Sequence, residues 1–465
     1  MLYTQKALEE LARKRDQFAA YQSRHGEGLG AYRAALATLA ARYPGSAALD
    51  AALGALASGA DATNPVGARP TSEYDAWLAT NAAAQPTSAR LPTIPFGRSF
   101  AHHEEARAWA EVLRGVTTFA VDGSQLPPWR DASVPLALVQ VGLFENPHQP
   151  PAPYLKDARV TLLAPDELET PESDTVDART GEDFGYSERI THLRRYELEI
   201  DTIIERMRHH ATTATSPTPA TTSPSTNPLS IPPSHTYGKG ARGLGVVAFY
   251  DGSLIPSFAL KSQPAYRDRY VRASQALLVA SAEYRIPVIG YIDTSYARDI
   301  LTMVGMLMAA PATPDASGDA PAPPNSRGLR DALLWHGRLG WGDRTPAFVS
   351  ARYDLARLGQ GANADPATEV AFVYIQTALD RPPARIEFPR WLLDDGLLDP
   401  VMDTLRAEVI VGGGYPYPIE AADAVAVISA PDRAQFYALF QDFAAREGLN
   451  FTFSRKAISK SRRRL

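Results

Sequence analysis

The chain has 465 residues, 45% of them hydrophobic and 21% charged, with a formal net charge of −5. This is globular composition, enough for one large domain with appendages or for two domains. The absence of cysteine excludes disulfides, thiolate zinc sites and cysteine nucleophiles, and the lack of global basicity confines any nucleic-acid contact to local basic patches.

The N-terminal "MLYTQKALEELARKRDQ" is charged, has a helical pattern and lacks the apolar centre of a signal peptide. No run approaches about 18 uninterrupted apolar residues, so no membrane span is expected and a cytoplasmic location is the default. Residues 1 to 23 read as an amphipathic helix, 28 to 60 as alanine-rich helix, and Pro70 to Pro95 as a connector. Together they form a helical N-terminal extension over 1–98. A helix is predicted from Phe100 to Arg114, closed by Gly115 at C′. Strands follow at Val116–Val121, Val134–Phe144 and Ala158–Ala164, then a helix from Ser187 to His209. Ala211 to His235 is rich in Pro, Ser and Thr and lacks aromatics, which predicts a disordered insertion near 211–240. A second such segment covers 310–328. Between them lie a strand at Gly245–Tyr250, a helix at Tyr266–Arg285 and a strand at Pro287–Ile292. The main domain is expected over 99–430, with a C-terminal helix and basic tail over 431–465.

Three antiparallel strands followed by parallel crossovers is the RNase H-like α/β arrangement, a mixed sheet flanked by helices. In that order the first and fourth strands are parallel neighbours. Both end in Asp-Gly-Ser, in "TFAVDGSQLP" (118–127) and "AFYDGSLIP" (248–256), 129 positions apart. A single Asp-Gly between apolar residues is a turn signal. Two at the ends of neighbouring strands instead place Asp122 and Asp251 side by side.

The helix between them carries a further acid. Ile190, Leu193, Glu197, Ile200, Ile204 and Met207 recur at helical spacing, and Glu197 alone among them is charged. A glutamate in an apolar stripe needs compensation, from a metal ion or from Arg194 or Arg195. Glu199 is expected to point elsewhere, into solvent. Three converging carboxylates repel unless a cation joins them, and oxygen-only ligands suit Mn²⁺ or Mg²⁺. Such sites serve phosphodiester hydrolysis. No GxxxxGK[ST] loop is present, and "GKGARGLG" (238–245) lacks its spacing, so no ATP hydrolysis is expected.

"FAVDGSQL", a helix with an inward glutamate, "FYDGSL" and the closing "GGGYPYPIEAADAVAVI" (412–428) together resemble the NurA nuclease family, across roughly Val116 to Ile428. The resemblance implies an RNase H-like, Mn²⁺-dependent DNA nuclease with 5′-to-3′ exonuclease and single-strand endonuclease activity. It implies a homodimer docked on the hexameric DNA translocase HerA, working in the end resection that starts recombinational repair of double-strand breaks. Its metal ligands would be Asp122, Glu197 and Asp251, and Tyr415 matches the family's active-site tyrosine. Eight positions later the family has a histidine where this chain has Asp423, and no histidine follows His336. Asp423 is thus a candidate for a second metal ion, but cannot donate a proton as an imidazolium does. That departure keeps open a DNA clamp or an adaptor for the translocase; an RNA-cutting RNase H-like enzyme is the other alternative. Asp293, at the end of the fifth strand, reads as a further rim carboxylate or as the cap of the next helix. Candidate DNA contacts are Arg267 and Arg269 in "YRDRYVR", Arg344 in "GWGDRTPAF", and Arg462, Arg463 and Arg464 in the tail.

Overall fold

The computed structural model describes residues 3–59, 66–82, 91–128, 132–169, 186–214, 244–310, 326–352, 365–450 and 452. The fold is mixed α/β. In chain order it comprises α1 (Thr4–Arg13), α2 (Arg15–Arg42), α3 (Ser46–Gly59), β1 (Gly67–Pro70), α4 (Ser72–Ala82) and α5 (His103–Trp109). These precede β2 (Thr117–Leu126), β3 (Ala137–Asn146), β4 (Leu155–Leu163), α6 (Pro165–Leu168), α7 (Glu188–Ala214), β5 (Val246–Asp251), α8 (Pro264–Tyr284) and β6 (Val288–Ile292). The remainder is α9 (Asp299–Ala309), α10 (Ala332–Trp335), β7 (Phe348–Ala351), β8 (Val370–Ile375), β9 (Ala384–Pro389), α11 (Trp391–Asp394), α12 (Leu398–Val411), α13 (Tyr417–Ala426) and α14 (Ala430–Arg446). Most of the insertions expected near 211–240 and 310–328 lie outside the described residues, although α7 runs on to Ala214.

The chain divides into two compact units, Met1–Phe100 with Tyr291–Arg390, and Ala101–Gly290 with Trp391–Leu465. The stretch expected as one domain over 99–430 is therefore shared between them. In the first unit the strands run β1-β7-β8-β9, paired antiparallel. Tyr32, Leu36 and Leu39 of α2 and Leu49 and Leu53 of α3 pack with Ile300, Met303 and Val304 of α9. This apolar surface draws 291–390 to the N-terminal hundred residues. The expected connector at Pro70–Pro95 instead begins with the last residue of the edge strand β1 and holds α4, whose Tyr74 and Trp77 join the same core.

The second unit holds the order β6-β5-β2-β3-β4. β2, β3 and β4 pair antiparallel, and β2 runs parallel to β5. The ladder between β2 and β5 ends at Val121↔Tyr250, whereas β2 continues against β3 as far as Leu126↔Leu138. From Asp122 onward the β5 side of β2 is therefore open, and the two Asp-Gly-Ser tripeptides flank that opening. The helix expected from Phe100 begins only at His103 and tightens into a 3₁₀ turn at Ala110–Leu113.

On α7 the buried stripe is Ile190, Leu193, Tyr196, Ile200, Ile203 and Met207, joined by Thr191, Glu199 and Thr202. The anticipated stripe holds at Ile190, Leu193, Ile200 and Met207 and is off by one position at Glu197 and Ile204, where Tyr196 and Ile203 are the buried residues; Tyr196 buries its ring like an apolar residue and carries the seam away from Glu197. Across the sheet, α13 packs on β3 at Gly142. A Cβ there would strike the Ala422 carbonyl and the Ala426 amide, so only glycine admits the helix this closely.

Candidate active site

Side chains alternate along a strand, and residues paired across a ladder share a face. Asp122 pairs with Gly142, which faces α13, and Asp251 follows Tyr250, which faces α7 through Tyr196 (ring centroids 6.4 Å apart). Asp122 and Asp251 therefore share the α13 face. The Asp122 Oδ1 accepts from the Gly123 amide at 2.8 Å. The Tyr415 hydroxyl donates to Asp251 Oδ1 at 2.9 Å. Three glycines aim that tyrosine: Gly413 and Gly414 take positive φ of 67° and 126°, and at Gly412 a Cβ would collide with the Tyr415 carbonyl as the chain folds back.

Glu199 approaches from the opposite face. It is 4% exposed and lies against Gly123, where any Cβ would overlap its carboxylate. The second residue of the first Asp-Gly-Ser is thus a glycine for close approach. Glu199 Oε1 is buried without a hydrogen bond, with Arg195 Nη1 3.5 Å away. Arg195 Nη1 also donates to the Gly123 carbonyl at 2.8 Å. Arg195, expected only as a partner for Glu197, stands one turn before Glu199, and that spacing is the signal in the sequence for this pairing.

Burial is the first cause that pushes the Asp122 carboxyl up to about 6. The Gly123 amide opposes it, while a hydrogen bond with Asp423 and the charges of Asp251 and Asp423 add to it. Burial likewise raises Glu199 to about 7, against the pull of Arg195 and with the charges of Asp122 and Asp251 adding to the rise. Four acids, Asp122, Glu199, Asp251 and the exposed Asp423 of α13, thus act on one neighbourhood.

Glu197 is elsewhere. Arg269 of α8 grips it with Nε and Nη2 at 2.7 and 2.6 Å, and Arg194 adds a contact at 3.2 Å. It ties α7 to α8. The expectations for the two glutamates are thus exchanged: Glu199, expected in solvent, is buried by the carboxylates, and Glu197 is neutralised by arginine.

Among the described residues, no three of His, Asp and Glu stand together at metal-ligand spacing, as expected from acids on two faces of one strand. The donor set still fits a hard divalent cation. It offers oxygen only, two of its carboxyls are raised by burial and mutual repulsion, and Glu199 Oε1 has no hydrogen bond to satisfy it.

The other expected residues are placed less centrally. Arg269 is held by Glu197, and Arg267 lies 3.3 Å from Asp268. Tyr266 and Tyr270 are buried and offer no stacking face. Arg344, 1% exposed, belongs to the first unit and is bidentate to Glu73 at 2.7 and 2.6 Å, so it lines no strand channel. Arg462, Arg463 and Arg464 lie outside the described residues. Asp293 is not a helix cap, because α9 starts six residues later with Arg298 at its N-cap; its Oδ2 lies 3.8 Å from Arg381.

The NurA domain family matches residues 116–428. No curated protein matches the chain. Among solved structures, the NurA nuclease from Sulfolobus solfataricus is 16% identical, covering 71% of this chain and 85% of its own, with a TM-score of 0.39. A NurA structure with manganese is 9% identical over 70% of this chain and 89% of its own (TM-score 0.32). One bound to dAMP and manganese is 10% identical over 68% and 85% (TM-score 0.28).

Proposed function

Because the chain belongs to the NurA family, we propose that it is a divalent-metal-dependent DNA nuclease whose site is formed by Asp122, Asp251 and Glu199, with Asp423 and Tyr415 beside them. One observation carries the reading: two acids end neighbouring parallel strands where the ladder opens, and a buried acid presses in from the opposite face at a glycine. The strand order β6-β5-β2-β3-β4 supports an RNase H-like arrangement.

Asp122, Asp251 and Glu199 would hold the cation, Mn²⁺ or Mg²⁺, with Glu199 in the ligand role that the resemblance implied for Glu197. A bound cation supplies charge neutralisation for a phosphodiester and activation of water. The chain's own groups do the rest. Tyr415 orients the Asp251 carboxylate through its Oδ1. Asp423 adds a carboxylate beside Asp122 for a second ion. Arg195 holds the Gly123 carbonyl and balances Glu199 while no cation is bound. Within the same proposal stand 5′-to-3′ exonuclease and single-strand endonuclease activity, a homodimer, a HerA-type translocase partner, a role in end resection of double-strand breaks, and a cytoplasmic location. No described helix is long and apolar enough to cross a membrane.

The test is cleavage of end-labelled single-stranded and duplex DNA by the purified chain, with Mn²⁺, with Mg²⁺ and with EDTA, and of matched RNA alongside. Metal-dependent DNA cleavage that disappears in Asp251→Asn is expected. DNA left intact under every condition would make the chain a clamp or adaptor, and cleavage confined to RNA would move it to another RNase H-like activity.

A further inference from the structure

Behind the carboxylates lies an aromatic cluster that the proposed chemistry does not use. Tyr196 stands on α7 one turn before Glu199. Its ring packs edge-on to Tyr250, the residue before Asp251, to Tyr270 (5.1 Å, 65°) and to Phe258 (5.9 Å, 75°). Phe258 and Tyr270 are themselves in T-shaped contact, at 4.9 Å and 83°. Tyr196, Tyr250 and Tyr270 are buried, whereas Phe258 is 54% exposed. An isolated apolar residue on a surface needs no explanation. Phe258 differs because two tyrosine rings brace it, and because it stands seven residues beyond Asp251 in the loop that carries the second Asp-Gly-Ser.

Phe258 belongs to the 3₁₀ turn Ser257–Lys261. In such a turn residues three apart eclipse one another. Phe258 and the exposed Lys261 therefore share one side of the turn, a ring beside an ammonium group. An aromatic face with a cation next to it is how proteins take an unpaired nucleotide: the base stacks and the phosphate meets the charge.

We propose that Phe258 and Lys261 form a nucleotide subsite for an unpaired strand, next to the Asp122–Asp251–Glu199 site, with Phe258 stacking a base and Lys261 contacting the adjoining phosphate. The subsite rests on the nuclease reading and deepens it. It predicts a preference for unpaired DNA, because the platform is one that any base satisfies and that a paired base cannot reach without unstacking. It also replaces the tyrosines of "YRDRYVR", which are buried, with the ring that is presented.

The experiment measures binding of a fluorescent single-stranded oligonucleotide to the full chain in EDTA, where no cleavage occurs. The oligonucleotide carries either normal bases or a run of abasic sites, and cleavage with Mn²⁺ is recorded in parallel. Phe258→Ala should weaken binding of the normal oligonucleotide about tenfold, and Phe258→Trp should restore it. On the abasic oligonucleotide all three proteins should bind alike. Lys261→Gln should weaken both oligonucleotides and lower the salt dependence by about one phosphate contact. If Phe258→Ala binds the normal strand as the wild type does, or loses as much on the abasic strand, the subsite is overturned while wild-type cleavage leaves the nuclease reading standing. If the wild type neither binds nor cuts DNA, both fall together.

Discussion

Glu199 occupies the space above Gly123 that a side chain at that position would need. The first Asp-Gly-Ser therefore does two things at once: its aspartate faces α13, and its glycine makes room for an acid arriving on α7. Gly123→Ala should force Glu199 or Arg195 aside. The cost is of the order of 1–3 kcal/mol, as for other insertions into close-packed places. Urea unfolding should show a lower midpoint, and calorimetry should show weaker Mn²⁺ binding. A variant that matched the wild type in both would mean that the glutamate has room to spare.

The two glutamates of α7 separate site from scaffold. Glu199→Gln should abolish Mn²⁺-dependent cleavage and leave the fold in place, since the amide fills the same volume. Glu197→Gln should keep cleavage and lose stability, because Arg269 loses a bidentate partner. With both side chains partly exposed, the loss should be about 1 kcal/mol. Cleavage rates and melting curves of the two variants decide it, and the reverse pattern would return the ligand role to Glu197.

The order of elements around the site was legible in the sequence, and so was most of the buried face of α7, but not which of its glutamates turns inward. β2, β3, β5 and β6 are apolar runs with clear ends, so their sequence alone yields the strand order and the adjacency of Asp122 to Asp251. On α7 the ambiguity is physical. Tyr196 buries its ring, and Thr191 and Thr202 are buried as well, with the Thr202 hydroxyl bonded to the Leu198 carbonyl at 2.7 Å. With Tyr196 left off the buried face, the helical spacing from Leu193 falls on Glu197. Gly142 and Gly123 carried the missing information, since each marks a helix pressed against a strand, but a glycine in a strand does not say which helix. Arg344 failed for a different reason: its partner Glu73 is 271 positions away, and no local pattern links them.

The raised carboxyls fix how stability should vary with pH. Asp122 and Glu199 hold protons up to about 6 and about 7 in the fold, against ordinary values of 3.8 and 4.5. The folded state binds protons more tightly at both, so the stability they contribute is full below pH 4 and is lost as pH rises through 6 to 7. In EDTA, the unfolding free energy of the wild type should therefore decline more steeply from pH 5 to pH 8 than that of the double variant Asp122→Asn/Glu199→Gln. Asp331, raised to about 7 by burial, is common to both proteins and cancels in the comparison. Adding Mn²⁺ should flatten the wild-type curve at neutral pH, because the cation takes the place of the protons. Parallel curves in EDTA would show that the two acids are relaxed by solvent.

Arg344 offers the opposite control, a cation that from sequence looked like a DNA contact and in the fold is internal. Its guanidinium clamps both oxygens of Glu73, and Glu73 Oε2 also accepts from the Ala347 amide at 2.7 Å. Arg344→Ala leaves that carboxylate with one backbone donor in a mostly buried place. Breaking a buried pair from one side costs about 3 kcal/mol or more, so a marked fall in the urea midpoint is expected. Affinity for single-stranded DNA in EDTA should stay at the wild-type level wherever the variant is folded. Glu73→Gln should destabilise as well, and the double substitution should cost less than the sum of the two, because each single change strands the other partner. Loss of DNA binding without loss of stability would instead place Arg344 at the nucleic acid.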